Sequence, residues 1–382
     1  MGATVIAALR RFLPEFLDGA PGLNSAQRRA LWAIKHCRTS TMGGHLHACE
    51  PCGTREFRFH SCNHRSCPQC GRAATAAWVQ RQLARRLGAP CFMVTFTLPA
   101  QLRPLFFTPM AREVYALFFD AAAHALRVAL AHDRSLRATT SGFTLLLHTW
   151  NQRLLFHPHL HAIVPGAGLD PRHRVVTVSR ASYLAPKAVL RTAFRQRFRQ
   201  SLAQLPATQD LPTIDPRVWQ RDWGVKLQPF GDGQNAIKYL GAYVCRTAIG
   251  DSRIRSVTDT HVTFTWKDRA HGNAIRTETI TGVEFVARYL RHVLPRGLKA
   301  VRHYGFCHPA AAAQRERIAF HTGMPLRVGA AAAELPPVPP PAASIPTCPC
   351  CGHPMKCLFR LPPTWARPRA PPPVTTIIAS VA

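Results

Sequence analysis

Three histidines stand within five residues at the head of an apolar run, HPHLHAIVPGAG, residues 157–168. Alternate side chains of a strand share a face, so His159, His161 and Ile163 point one way and Leu160, Ala162 and Val164 the other. Two imidazoles on one face are a ready pair of metal ligands. The upstream segment GFTLLLHTW, residues 142–150, reads as a partner strand, with a turn near 151–157. Antiparallel pairing centred near residue 153 or 154 sets His148 opposite His159 or His161. Gln152 and His157 are weaker candidates for the same role. Three neutral ligands with open positions suit Mg2+ or Mn2+ plus a phosphate oxygen, although imidazole accepts zinc or other transition metals equally. A cupin-type oxygenase also uses His-x-His, but it needs a Glu a few residues later, and here no acid occurs before Asp170.

A second set of chemical residues is the cysteine-rich stretch HACEPCGTREFRFHSCNHRSCPQCG, residues 47–71. Its two Cys-x-x-Cys pairs, Cys49 with Cys52 and Cys67 with Cys70, predict one tetrahedral zinc held by four thiolates. Such a site is closed and structural, so chemistry must lie elsewhere. Cys37, Cys62, His45, His47 and His64 are surplus to one site and either form a second or stand by. Arg55, Arg58, Arg65 and Arg72 around the pairs are candidate DNA contacts.

The third set lies in NAIKYLGAYVCRTAIG, residues 235–250, which has helical spacing. Ile237, Leu240, Val244 and Ala248 form an apolar stripe, while Tyr239, Tyr243 and Arg246 fall together on roughly the opposite face. Beside a metal acting as Lewis acid, a tyrosine hydroxyl can attack a phosphodiester in line, keeping the 5′ phosphate covalently and releasing a 3′ hydroxyl. A second tyrosine one turn away could take a second strand, and Arg246 could steady the phosphate.

These residues need elements to hold them. Asn24 or Ser25 caps a helix in the segment 1–36. A basic helix follows the cysteines and ends at Gly88, and a strand, CFMVTFTLP, closes at Pro99. A helix around 110–132 and a basic helix around 186–204 flank the histidine strands. The patterning is α+β. Three regions result: 1–90, helical and zinc-binding; 91–308, the nuclease-like domain; and 309–382, an Ala/Pro-rich linker with a flexible tail. In that tail Cys348, Cys351 and Cys357 near His353 could close a small site, or could simply fray.

Lys and Arg number 49 against 19 acids, a net charge of +30 spread along 382 residues, which points to a polyanionic partner. Nucleic acid is the expected partner, since an anionic membrane would need a basic amphipathic anchor or a lipidation signal. The N-terminus carries neither a secretory signal nor a myristoylation motif, no apolar stretch approaches ~20 residues, and 13 cysteines in tight clusters suit metal ligation in a reducing compartment. The expectation is a cytoplasmic, nucleoid-associated protein using no membrane and no nucleotide cofactor.

Four blocks in order, CRTSTMGGHLHACEPCG with SCNHRSCPQC, LHTWNQRLLFHPHLHAIVPGAGL, KYLGAYVCRTAIGDSRI and EFVARYLRHVLPRGLKAVRHYGF, resemble the HUH rolling-circle transposases of bacterial insertion sequences, the two-tyrosine IS91 type, over residues 10–308. The resemblance implies an HUH-nuclease palm with a central antiparallel sheet and flanking helices, preceded by a small zinc-binding domain. It implies that His159 and His161 are the histidines of the motif, His148 the remaining ligand, and Tyr239 and Tyr243 the nucleophiles acting on single-stranded element ends. Many relatives carry His where this chain has Ser66 and Cys245, so neither position is given a metal role. A plasmid relaxase or replication initiator shares the chemistry, and a non-catalytic zinc-dependent regulator is the rival from another class.

Overall fold

The computed structural model describes residues 3–19, 22–133, 136–137, 140–206, 211–244, 248–323 and 346–364, with the backbone alone at 72–73 and 242–244. In chain order the amino-terminal part runs α1 (Val5–Asp18), α2 (Ser25–His36), β1 (Gly44–Ala48), β2 (Arg55–Phe59) and α3 (Arg72–Ala84). The middle continues with β3 (Cys91–Thr97), α4 (Ala111–His132), β4 (Thr140–Ser141), β5 (Phe143–Trp150), β6 (Phe156–Pro165), β7 (Ala167–Leu169), β8 (Val175–Thr177), α5 (Lys187–Ala203), β9 (Gly224–Pro229) and α6 (Gln234–Val244). The remainder is β10 (Ile254–Val257), β11 (His261–Asp268), β12 (Ala274–Thr281), α7 (Gly282–Leu290), β13 (Val301–Tyr304), α8 (Ala312–His321) and β14 (Lys356–Leu361). This is the α+β architecture expected.

A five-stranded antiparallel sheet, order β13-β5-β6-β3-β9, organises the molecule. Alternation gives it two chemically different faces. One carries Phe92, Val94, Phe96, Leu145, Leu147 and Leu160, all at most 5% exposed and covered by α4 and α5. Burying each such Phe is worth ~1.5–3 kcal/mol. Among the described residues α4 is the one helix long and apolar enough to cross a membrane, but its Val114, Phe118, Phe119 and Leu126 are wholly buried in this core. Its hydrophobicity serves packing. The opposite sheet face presents Met93, Leu146 and Ile163, and on it lies α6.

A second core does not follow the chain order. Val5, Leu9, Phe12 and Ile34 from α1 and α2 pack with Val262, Phe264, Phe285 and Val286, so α1 and α2 share their interior with the β10-β11-β12 sheet and α7, and Cys37 and Cys67 join the same core. Asn24 is the α2 cap, its side chain accepting from the Gln27 amide while the Gln27 side chain accepts from Asn24 N–H. The contact is close at Gly282, where an added Cβ would lie 2.0 Å from the Phe12 ring.

Beyond residue 308 the structure describes two stretches, 309–323 and 346–364, while the Ala/Pro-rich run expected as a linker and the end of the expected tail lie outside the described residues. Residues 312–321 form α8, whose Ile318 is buried beside Phe306. Residues 356–361 form β14, paired antiparallel with β1 in a three-stranded sheet, order β14-β1-β2. The physical reason is local. KCLFRL has strand composition, and the knuckle before it, CPCCG, can dock only where other thiols wait.

Candidate active site and thiolate clusters

His148 faces His159 directly across the β5–β6 ladder, and His161 faces Leu146 two pairs further on, on the same face. The three rings lie with centroids 4.7 to 5.3 Å apart, and one ligand nitrogen from each falls within 4.8 Å of the others. His159 Nδ1 pairs with the His157 carbonyl at 2.8 Å and His161 Nδ1 with Thr95 Oγ1 at 3.0 Å. These bonds orient both rings and leave Nε2 as the nitrogen each offers a cation. Burial holds His159 down at about 4 and His161 at about 3, and burial followed by its two neighbours keeps His148 well below 6.5. All three therefore stay neutral, the form that ligates metal. The donor set fits a divalent cation with open coordination positions.

The other two ligand candidates are engaged elsewhere. His157 Nδ1 meets an Arg103 guanidinium nitrogen at 2.8 Å, outside the cluster. Gln152 sits in the turn, accepting from Arg253 through its carbonyl and from the Lys267 amide through its side chain.

α6 lies over the same sheet face, held by Ile237 and Leu240, which are 5% and 0% exposed. Gly241 lets α3 approach: a Cβ there would meet the Val79 side chain at 2.1 Å. Tyr239 projects from the other side of the helix and is 39% exposed. Tyr243 lies one turn further along the α6 backbone, while its side chain, the Val244 side chain and all of Arg246 lie outside the described residues. Ala248 is buried, but in the second core beyond the end of α6, not on the helix's stripe.

Sequence reasoning missed Arg269. It sits at the tip between β11 and β12, where an Arg269 guanidinium N–H donates to the Tyr239 hydroxyl at 3.5 Å. Its charge also bears on His159 and His161, lowering both pKa values. The neighbouring Asp268 carboxylate is taken by His271 at 2.8 Å and Arg276 at 2.7 Å, and among the described residues Arg269 makes no ion pair. A charged tip, WKDRAHGN, is the only signal the sequence offered, and nothing in it says which surface the tip touches.

The cysteines sort differently from the expected foursome of Cys49, Cys52, Cys67 and Cys70. Cys67 and Cys70 join Cys37 and Cys62, whereas Cys49 and Cys52 join Cys348 and Cys351; in each group all four sulfurs lie within 4.8 Å. A zinc–sulfur bond of ~2.3 Å implies a tetrahedron edge of ~3.8 Å. Cys37 Sγ to Cys70 Sγ is 3.7 Å and Cys62 Sγ to Cys70 Sγ is 3.8 Å, so the first group fits zinc without rearrangement. It is seated at the end of α2, against the second core. His45, His47 and His64 belong to neither group; His45 pairs with His60 at 3.1 Å. In the tail, Cys357 and His353 likewise stand outside.

The candidate DNA contacts also divide. Arg55 and Arg58 are exposed on β2, Arg58 pairing with Glu56 at 3.1 Å. Arg65 instead spends its guanidinium on the carbonyls of Leu298, Leu294 and Pro295, at 2.6 to 2.9 Å, and so fastens the cysteine loop to the palm rather than offering itself to a phosphate. The Arg72 side chain lies outside the described residues.

Residues 142–316 match the family described as “Putative transposase”, and residues 8–98 match the IS91 “Transposase zinc-binding domain”. These two matches define the class, a transposase with an amino-terminal zinc-binding domain. The chain is 36% identical over 321 residues to “Putative transposase y4qJ” of Sinorhizobium fredii, with 80% of each chain covered. It is 28% identical over 298 residues to “Transposase for insertion sequence element IS801” of Pseudomonas savastanoi pv. phaseolicola, covering 75% of this chain and 71% of that one. The chain belongs to the IS91-type transposases, whose work is on DNA. No solved structure matches it.

Proposed function

We propose that this transposase cuts and rejoins single-stranded DNA at the ends of its element by tyrosine transesterification. The observation that carries the reading is the shared sheet face: three neutral imidazoles, a helix lying over them that carries Tyr239, and an Arg269 guanidinium that touches the Tyr239 hydroxyl and whose charge reaches His159 and His161. The tyrosine oxygen forms a bond to the scissile phosphorus as the bond to the 3′ oxygen breaks, leaving a 5′ phosphotyrosine and a free 3′ hydroxyl. The proton lost by the phenol is balanced by the one the departing oxygen takes up. His148, His159 and His161 would hold a divalent cation, Mg2+ or Mn2+, which when bound would supply Lewis acidity at the phosphate. Arg269 binds the negative charge that develops beside Tyr239, a role that sequence alone gave to Arg246. Retaining the phosphodiester energy in the tyrosyl link lets strands be resealed without a nucleotide cofactor.

Incubated with Mn2+ and a single-stranded oligonucleotide spanning an element end, the protein is expected to form a covalent adduct that maps to Tyr239 or Tyr243. An equal yield from the Tyr239→Phe/Tyr243→Phe double variant, or no adduct from wild type with any end, overturns the assignment.

A further inference from the structure

We propose that the protein carries a second structural zinc ion, held by Cys49, Cys52, Cys348 and Cys351, which clasps the carboxy-terminal segment onto the amino-terminal region. The match to a zinc-binding domain ends at residue 98, so half of this ligand set lies outside it.

The two halves of the site are built alike although about 300 residues separate them. CEPCG and CPCCG each fold as the same knuckle. In the first, the Gly53 amide donates to the Cys49 carbonyl at 2.9 Å and the Cys49 amide to the Thr54 carbonyl at 2.9 Å. In the second, the Gly352 amide donates to the Cys348 carbonyl at 2.9 Å and the Cys348 amide to the His353 carbonyl at 2.8 Å. Gly53 and Gly352 both adopt the left-handed conformation, at φ 70° and 74°, which a side chain would strain. Such a turn aims both thiols of a Cys-x-x-Cys toward one point, and here the two turns face each other.

The sulfurs meet accordingly. Cys49 Sγ lies 3.3 Å from Cys351 Sγ, and Cys52 Sγ lies 3.5 Å from Cys348 Sγ and 3.4 Å from Cys351 Sγ. These edges are slightly tighter than the ~3.8 Å of a zinc-filled tetrahedron and open by a few tenths of an ångström on binding. Cys49 and Cys348 are buried with Met355 in a small apolar knot, 1%, 3% and 2% exposed, which shields the site on one side. Four converging cysteines leave no position for substrate, so the ion is a fastener. Its pull extends into the sheet, because β14 begins five residues after Cys351 and pairs with β1, which ends one residue before Cys49.

Metal content tests this directly. Full-length protein purified from zinc-supplemented medium is expected to hold one zinc ion per chain more than the Cys348→Ser/Cys351→Ser variant. Equal zinc content in the two overturns the proposal. Should the variant fail to fold, cobalt substitution of the wild-type chain decides: thiolate-to-cobalt charge-transfer intensity corresponding to eight Co–S bonds supports the clasp, and intensity corresponding to four overturns it.

Discussion

The histidine cluster and the cysteine clusters are both small gatherings of metal-binding atoms, yet they are built for opposite ends. The histidines stand on two adjacent strands of the main sheet and offer three neutral nitrogens, a set that would leave positions open on a bound ion, with α6 packed on the same sheet face. The cysteines gather in fours from loops and knuckles; Cys49, Cys52, Cys348 and Cys351 stand on pieces of chain that bury little core of their own, whereas Cys37 and Cys67 sit in the edge of the second core. An incomplete ligand set on a rigid sheet leaves room for a reacting phosphate. A complete set on weakly cored segments replaces the missing hydrophobic energy.

The contrast can be broken most sharply at the histidines. His159→Ala with His161→Ala is expected to reduce strand cleavage by ~10³-fold, the scale seen when preorganised charge stabilisation is removed, with the melting temperature and zinc content unchanged. Unfolding of that variant would place the imidazoles among the structural sites instead. At the closed centre, Cys67→Ser should release one zinc and cost ~3 kcal/mol in chemical denaturation, while the molecules that remain folded cleave normally. Arg269→Ala sharpens the open site: cleavage should fall by ~10- to 100-fold with Mn2+ affinity unaltered, measured by titration, and Arg269→Lys should restore part of it.

The smallest effect concerns the support beneath the open site. Glu278 pairs with Arg153 in the turn joining the two histidine strands, and with Arg288 of α7, both at 2.8 Å. Glu278→Gln should cost ~1 kcal/mol and lower cleavage less than the histidine or Arg269 changes. Burial pushes the Glu278 pKa up, but the two arginines outweigh it and hold the carboxyl below 4.5. Its contribution is therefore present above pH 4.5 and lost as the pH falls through the folded-state value, and the variant's stability should lose that part of its pH dependence in denaturant titrations between pH 3 and 5.

Much of the open site could be read from the chain because it depends on short-range geometry. Strand alternation puts His159, His161 and Ile163 on one side, and a hairpin turn fixes the partner strand to within one pair, which the structure resolves as His148 opposite His159. Helical periodicity likewise separates Ile237 and Leu240 from Tyr239. The closed sites were not readable in the same way. Cys-x-x-Cys spacing says that two thiols share a turn, but it carries no information about which second turn they face, and the nearest one along the chain was the wrong choice. Arg269 was hidden for a related reason: its place beside Tyr239 comes from the docking of β11 and β12, a tertiary arrangement with no local motif.

The position of β14 has a consequence in time. β1 is among the first strands synthesised and lies in the middle of its sheet, but one of its two partners comes about 300 residues later, near the end of the described residues. At ~5–20 residues per second, the ~300 intervening residues take ~15–60 s to translate, and throughout that interval β1 has only β2 beside it. A two-stranded ribbon is at best marginally stable. Ribosomes that stop early, or transcripts truncated within the element, thus yield chains whose amino-terminal sheet stays unfinished, whereas a chain translated through residue 361 can complete it.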